Sequence, residues 1–140
     1  MLNQQLIFLP CLILILLTFF VLIIMFNRRV KGIKKGDVSP SYFKTYSTGQ
    51  TESIKCLQAQ RNFANLHEAP PIFYILCLVA YVTGNASPLM IGLSWTFLFF
   101  RVLHTLVHVT TNKLKPRMLS FACSWLVIIA MSLILMIRII

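Results

Sequence analysis

The chain has 140 residues, 58% hydrophobic and 11% charged, with a mean hydropathy of +0.81. A soluble globular domain carries about a quarter charged residues, so this composition excludes one and points to a protein embedded in a bilayer. The formal net charge of +10 comes from 13 Lys and Arg against three Asp and Glu, and the cations cluster between apolar segments. There they report membrane orientation rather than a nucleic-acid surface.

The first apolar segment, Leu6 to Phe26, runs 21 residues without a charge, enough to cross a hydrocarbon core of about 30 Å. It is too long for a signal-peptide core, lacks a small-x-small cleavage site and is followed by Arg28 and Arg29, so a retained transmembrane helix over about 6–27 is expected. Pro10 falls near its start, where a missing donor costs little. Asn27 to Gln50 is basic and punctuated by Gly32, Gly36, Pro40 and Gly49, which predicts a loop.

Thr51 or Ser53 is the expected N-cap of a second helix over about 52–82, with Glu52 favourable in its first turn. Its purely apolar part, Ile72 to Val82, is too short to span. The polar stretch Arg61 to Glu68 must therefore join the crossing, with a kink expected at Pro70-Pro71. A third helix is predicted over 88–109 and a fourth over 117–139. The expected architecture is all-α, an integral membrane four-helix bundle forming one domain over residues 1–140.

The 1–2 connection carries Arg28, Arg29, Lys31, Lys34, Lys35 and Lys44, and the 3–4 connection carries Lys113, Lys115 and Arg117. The 2–3 connection and the N-terminal tail carry no charged side chain. Positive-inside bias then puts loops 27–50 and 110–117 in the cytoplasm and both termini on the far side. The four cysteines, Cys11, Cys56, Cys77 and Cys123, are widely spaced and suggest neither a disulfide framework nor a metal site.

Arg101, His104 and His108 lie inside the third apolar run at i, i+3 and i+7, on one helical face. A guanidinium at membrane depth costs a few kcal/mol or more, so such residues generally face a protein interior and serve a function. Arg61, Asn65 and Glu68 form a second stripe on helix 2. Counted from the outer helix ends at 1.5 Å per residue, Glu68 lies about 21 Å deep and Arg101 about 18 Å. Asn65 comes level with His104, and Arg61 with His108. Two facing polar stripes predict a polar cavity open towards the basic loops and an ion pair between Glu68 and Arg101.

These residues also carry a resemblance. Arg61-x-x-x-Asn65-x-x-Glu68-x-x-Pro71-x-Phe73 resembles the helix-2 signature of the MAPEG family, membrane-associated proteins in eicosanoid and glutathione metabolism. Arg101-Val-Leu-His104-Thr-Leu-Val-His108 resembles its helix-3 Arg-x-x-His-Thr-x-x-Tyr pattern, and Pro116-Arg117-Met-Leu-Ser120-Phe121 the start of its helix 4. The resemblance covers roughly residues 55 to 125. It implies a homotrimer binding glutathione as co-substrate between subunits on the cytoplasmic side, with lipophilic molecules reaching the site through the bilayer. It also implies that Arg61, Asn65, Glu68, Arg101, His104 and Arg117 contact glutathione, with Arg28 or Arg29 joining across the interface. His108 and Arg117 are the catalytic candidates.

That ligand suits the side chains. Arginines pair bidentately with its carboxylates, a glutamate with its ammonium, and an asparagine with either a donor or an acceptor. A cationic pocket also favours the thiolate. His108 departs from the family pattern, which has tyrosine there; a histidine can donate to a thiolate or act as a base. The expected activity is that of a microsomal-type glutathione transferase or peroxidase. Two other readings are a non-catalytic binding or regulatory protein on the same scaffold, and a small transporter. The almost wholly apolar outer halves of helices 2 and 3 oppose the transporter.

Overall fold

The computed structural model describes residues 3–46, 49 and 51–140. Met1 and Leu2 of the N-terminal tail, and Ser47, Thr48 and Gln50 of the expected 27–50 loop, lie outside the described residues. A short 3₁₀ turn, Gln4–Ile7, leads into α1 (Phe8–Lys35), followed by α2 (Tyr42–Thr45), α3 (Ile54–Asn65), α4 (Ala69–Val82), α5 (Pro88–Val109) and α6 (Leu114–Ile139). There is no strand among the described residues. With α3 and α4 taken together, four helical stretches are long and apolar enough to cross a membrane.

Helix α1 runs well past residue 27, where the sequence predicts its end. Charged residues do not stop a helix; Gly36 does. Its φ is 78°, in the left-handed region that glycine enters without a Cβ clash. The Gly36 amide donates to the Ile33 carbonyl and the Asp37 amide to that of Gly32, each at 3.0 Å, which is the Schellman pattern. The fourth helix likewise begins earlier than expected, at Leu114. Pro116 falls in its first turn, where the backbone amides have no intrahelical acceptor to lose.

The second crossing is broken between α3 and α4. Pro70 and Pro71 have no amide hydrogen to offer the carbonyls of Leu66 and His67. The chain tightens there into i→i−3 bonds, from His67 N to Ala64 O at 2.9 Å and from Glu68 N to Asn65 O at 3.3 Å. At the opposite end of the bundle, Pro88 opens α5 behind the N-cap Ser87, whose hydroxyl accepts from the Met90 amide at 3.4 Å.

The bundle packs an apolar core around a few buried polar groups and turns large apolar side chains outward. Arg101 is 0% exposed while Leu16 is 67% and Phe26 64% exposed, the placement of charge and apolar bulk that a lipid solvent selects. Inside, α4 and α5 meet at Phe73 and Phe97, whose rings stack with centroids 4.2 Å apart. Small residues, including Ala69, Cys77, Ala80, Ser94 and Ser124, are buried where the helices approach one another.

Both basic connections lie at one end of the bundle, and Arg28 ties that end together. Its Nη1 donates to the Lys55 carbonyl at 2.7 Å and its Nη2 to the Val109 carbonyl at 2.8 Å. Glu52 is not in a helical first turn but just outside α3, buried and 3.8 Å from Arg29 Nε. It also accepts from the Cys56 thiol. The Arg29 guanidinium lies over Phe43 and Tyr46, 5.2 and 5.9 Å from their ring centres, so α2 is held against the helix ends by a cation–π contact.

Candidate functional site

The two polar stripes of helices 2 and 3 meet in a cavity of about 480 Å³ walled on its third side by α6. Arg61, Asn65 and Glu68 line it from α3 and the break, His104 and His108 from α5, and Arg117, Met118 and Phe121 from α6. Six residues singled out in the sequence are thus brought together. Arg101 is the layer beneath: fully buried, it donates from Nη2 to the Asn65 carbonyl at 2.8 Å and to Asn65 Oδ1 at 2.7 Å. Asn65 Nδ2 in turn reaches Glu68 Oε2 at 3.1 Å.

The expected Glu68–Arg101 ion pair is therefore not formed. Asn65 stands between the two, and the Glu68 carboxylate is exposed at the helix break. The matching by depth misses by the three residues between Asn65 and Glu68, about 4.5 Å of helix rise. The long arginine side chain covers that distance, and the shorter contact to an amide already inside the bundle wins.

The two histidines are held differently. His104 Nδ1 lies 3.0 Å from the Arg117 carbonyl; a carbonyl only accepts, so Nδ1 carries the proton and Nε2 is left as an acceptor. His108 packs edge-on against it, with ring centroids 5.3 Å apart. His104 Nε2, His108 Nδ1, and Nε and Nη1 of Arg101 are all buried without a hydrogen-bond partner among the described residues. Buried polar atoms are usually satisfied, and the two ring nitrogens are unpaired on side chains that line the cavity.

Arg117 is positioned from α6 and donates from Nη1 to Asn112 Oδ1. Asn112 sits at φ 50°, a left-handed conformation that asparagine tolerates better than most residues. A smaller opening of about 120 Å³ shares Arg61, His108 and Arg117 with the main cavity and adds Gln58 and Asn112 towards the basic end. Arg28 and Arg29 do not line the cavity within this chain. Arg28 is engaged by the two backbone carbonyls and Arg29 by Glu52 and the α2 aromatics.

Sequence reasoning did not single out Asn62, Asn112 or Met118, and it noted Thr105 only as part of the helix-3 pattern. Asn62 and Thr105 are buried one turn from the cavity and meet at 3.5 Å. Met118, Phe121 and Ala122 share a face at i, i+3 and i+4, a spacing that could have placed the α6 wall. Among the described residues no group of His, Cys, Asp and Glu could hold a metal ion.

No curated protein and no solved structure matches the chain. The MAPEG family model matches residues 7–137, nearly the whole length and all four membrane crossings, with both polar stripes inside the match. The protein is a multi-pass membrane protein of the glutathione and eicosanoid metabolism group, and it belongs to the MAPEG family.

Proposed function

We propose that the protein binds glutathione, or a related thiol, in the cavity between α3, α5 and α6 and uses it on a lipophilic substrate, by conjugation or by peroxide reduction. The observation that carries this reading is the convergence of Arg61, Arg117, Glu68 and two histidines with unpaired ring nitrogens on one cavity of about 480 Å³. That volume lies within the roughly 300–1,000 Å³ of small-molecule sites. Arg61 and Arg117 would take the two carboxylates, Glu68 the ammonium and Asn65 the peptide groups. His108 would donate to the thiolate, and the surrounding cations favour that charge. The thiol enters from the basic end, which faces the cytoplasm, and the acceptor arrives laterally from lipid. The working assembly is a homotrimer.

His108 supports one competing reading. With an imidazole where the family pattern has a phenol, the scaffold can retain thiol binding without turnover and act as a binding or regulatory protein. Titration of the purified protein with glutathione separates the possibilities. A binding heat accompanied by thiolate absorbance supports the enzyme. A binding heat without thiolate supports the non-catalytic protein, and no heat at all sinks both.

A further inference from the structure

A second polar cleft lies outside the cavity described above, between the end of α1 and the start of α3. It has a volume of about 640 Å³ and is lined by Arg28, Lys31, Lys35 and Lys55, with Asp37 as its one carboxylate. The ammonium groups of Lys31, Lys35 and Lys55 pair with no carboxylate; the ion pair among the described residues is Arg29–Glu52. The cleft floor is fixed, because the Arg28 guanidinium is clamped between two backbone carbonyls on neighbouring helices. Ser53 adds a hydroxyl that caps nothing.

The cleft lies at a telling depth. The apolar run of α1 ends at Phe26, and Lys31 is five residues further on, about 7.5 Å along the axis. The headgroup layer of a bilayer is about 5–8 Å thick on each side of a core of about 30 Å. Lys31 therefore falls at the level of the lipid phosphates, with Lys35 just beyond. Orientation signals require only that cations lie on one side of a membrane. They do not require four of them to surround one cleft on a fixed floor.

We propose that this cleft binds the phosphate group of an anionic membrane lipid, held by Lys31, Lys35 and Lys55 over Arg28. Basic pockets between transmembrane helices recognise such headgroups. The lipid chains would run down the apolar surface of α1 on the same helical face as Lys31, where Ile13 and Phe20 are exposed. The cleft shares no lining residue with the α3–α5–α6 cavity, so this site does not depend on the thiol reading.

The test uses the full chain in nanodiscs of phosphatidylcholine containing a small fraction of phosphatidic acid, with retained lipid read by native mass spectrometry. The parent protein should retain phosphatidic acid. Each lysine removed should weaken retention about fivefold, so Lys31→Gln/Lys35→Gln/Lys55→Gln should lose it about a hundredfold. A control, Lys34→Gln/Lys44→Gln/Lys113→Gln, removes the same charge outside the cleft and should retain it. Equal loss in both triple variants would reduce the effect to diffuse charge and overturn the site, as would no retention by the parent. Inorganic phosphate added to the parent distinguishes the sources. Displacement of the lipid shows that phosphate alone suffices, and persistence shows that the lipid chains contribute. Glutathione titration of the lysine variant should match the parent, which separates this site from the thiol cavity.

Discussion

Arg101 Nη2 donates to both oxygens of Asn65, the backbone carbonyl at 2.8 Å and Oδ1 at 2.7 Å. This buried guanidinium has no further partner for Nε or Nη1, so a single asparagine carries its whole intramolecular satisfaction. Replacing Asn65 with leucine removes the side-chain acceptor and should destabilise the bundle by about 1.5–3 kcal/mol, the range for a hydrogen bond to a charged group. Asn65→Asp keeps an oxygen in place and should melt closer to the parent. Thermal unfolding in detergent reads both, and a leucine variant as stable as the parent would show that Arg101 is satisfied elsewhere.

Arg29 and Glu52 are asymmetric partners. The Glu52 side chain is 1% exposed and that of Arg29 20%, at 3.8 Å. Removing the arginine leaves a buried carboxylate alone, whereas removing the carboxylate frees a cation that can reach water. Arg29→Met should therefore cost about 3 kcal/mol, and Glu52→Gln, which keeps an acceptor for Cys56, much less. The double variant should recover most of the loss. A double-mutant cycle with no coupling would show that the contact with Phe43 and Tyr46, rather than the ion pair, places Arg29.

The membrane crossings were legible because hydrophobic length and charge placement are strong signals in a bilayer. The convergence of Arg61, Asn65, Glu68, His104 and His108 was legible because helical spacing and depth are simple arithmetic. Contacts to backbone carbonyls left no trace in the sequence. Arg28 held by Lys55 and Val109, and His104 held by Arg117, each follow from where a neighbouring chain segment passes. Glu52 reads as a first-turn acid because nothing local shows that α1 continues to Lys35 and brings Arg29 against it. The break after Asn65 is signalled by the two prolines, but its effect on which way Glu68 faces is not. That orientation decides between an ion pair and an amide relay.

Arg61 and Glu68 are exposed on the single subunit although both lie within a membrane crossing. Lipid-facing charge at that depth is costly, and a symmetric assembly that buries this face removes the cost. Under the proposed trimer, crosslinking in native-like membranes should give species of three subunits. Arg61→Leu, which makes the face apolar, should leave the crosslinking pattern intact while weakening glutathione binding. A clean monomer at every crosslinker concentration would refute an interface-bound thiol site.

His108 offers the sharpest test of the proposed chemistry. It is 6% exposed, lines both the main cavity and the opening above it, and keeps an unpaired Nδ1. If it is the thiol partner, its role is to donate a hydrogen bond to the sulfur, and any side chain that donates from the same place should substitute. His108→Tyr should then preserve or raise glutathione-dependent activity. His108→Phe, of similar bulk but without a donor, should lower it by about 10²-fold, the lower end of what one positioned proton donor contributes. Glutathione binding should change little in either variant, because Arg61, Glu68 and Arg117 hold the rest of the molecule. The distinguishing measurement is thiolate absorbance at saturating glutathione, which should fall in His108→Phe and persist in His108→Tyr. If His108→Phe forms thiolate and turns over as well as the parent, His108 has no chemical role and the catalytic donor must be sought in Arg117.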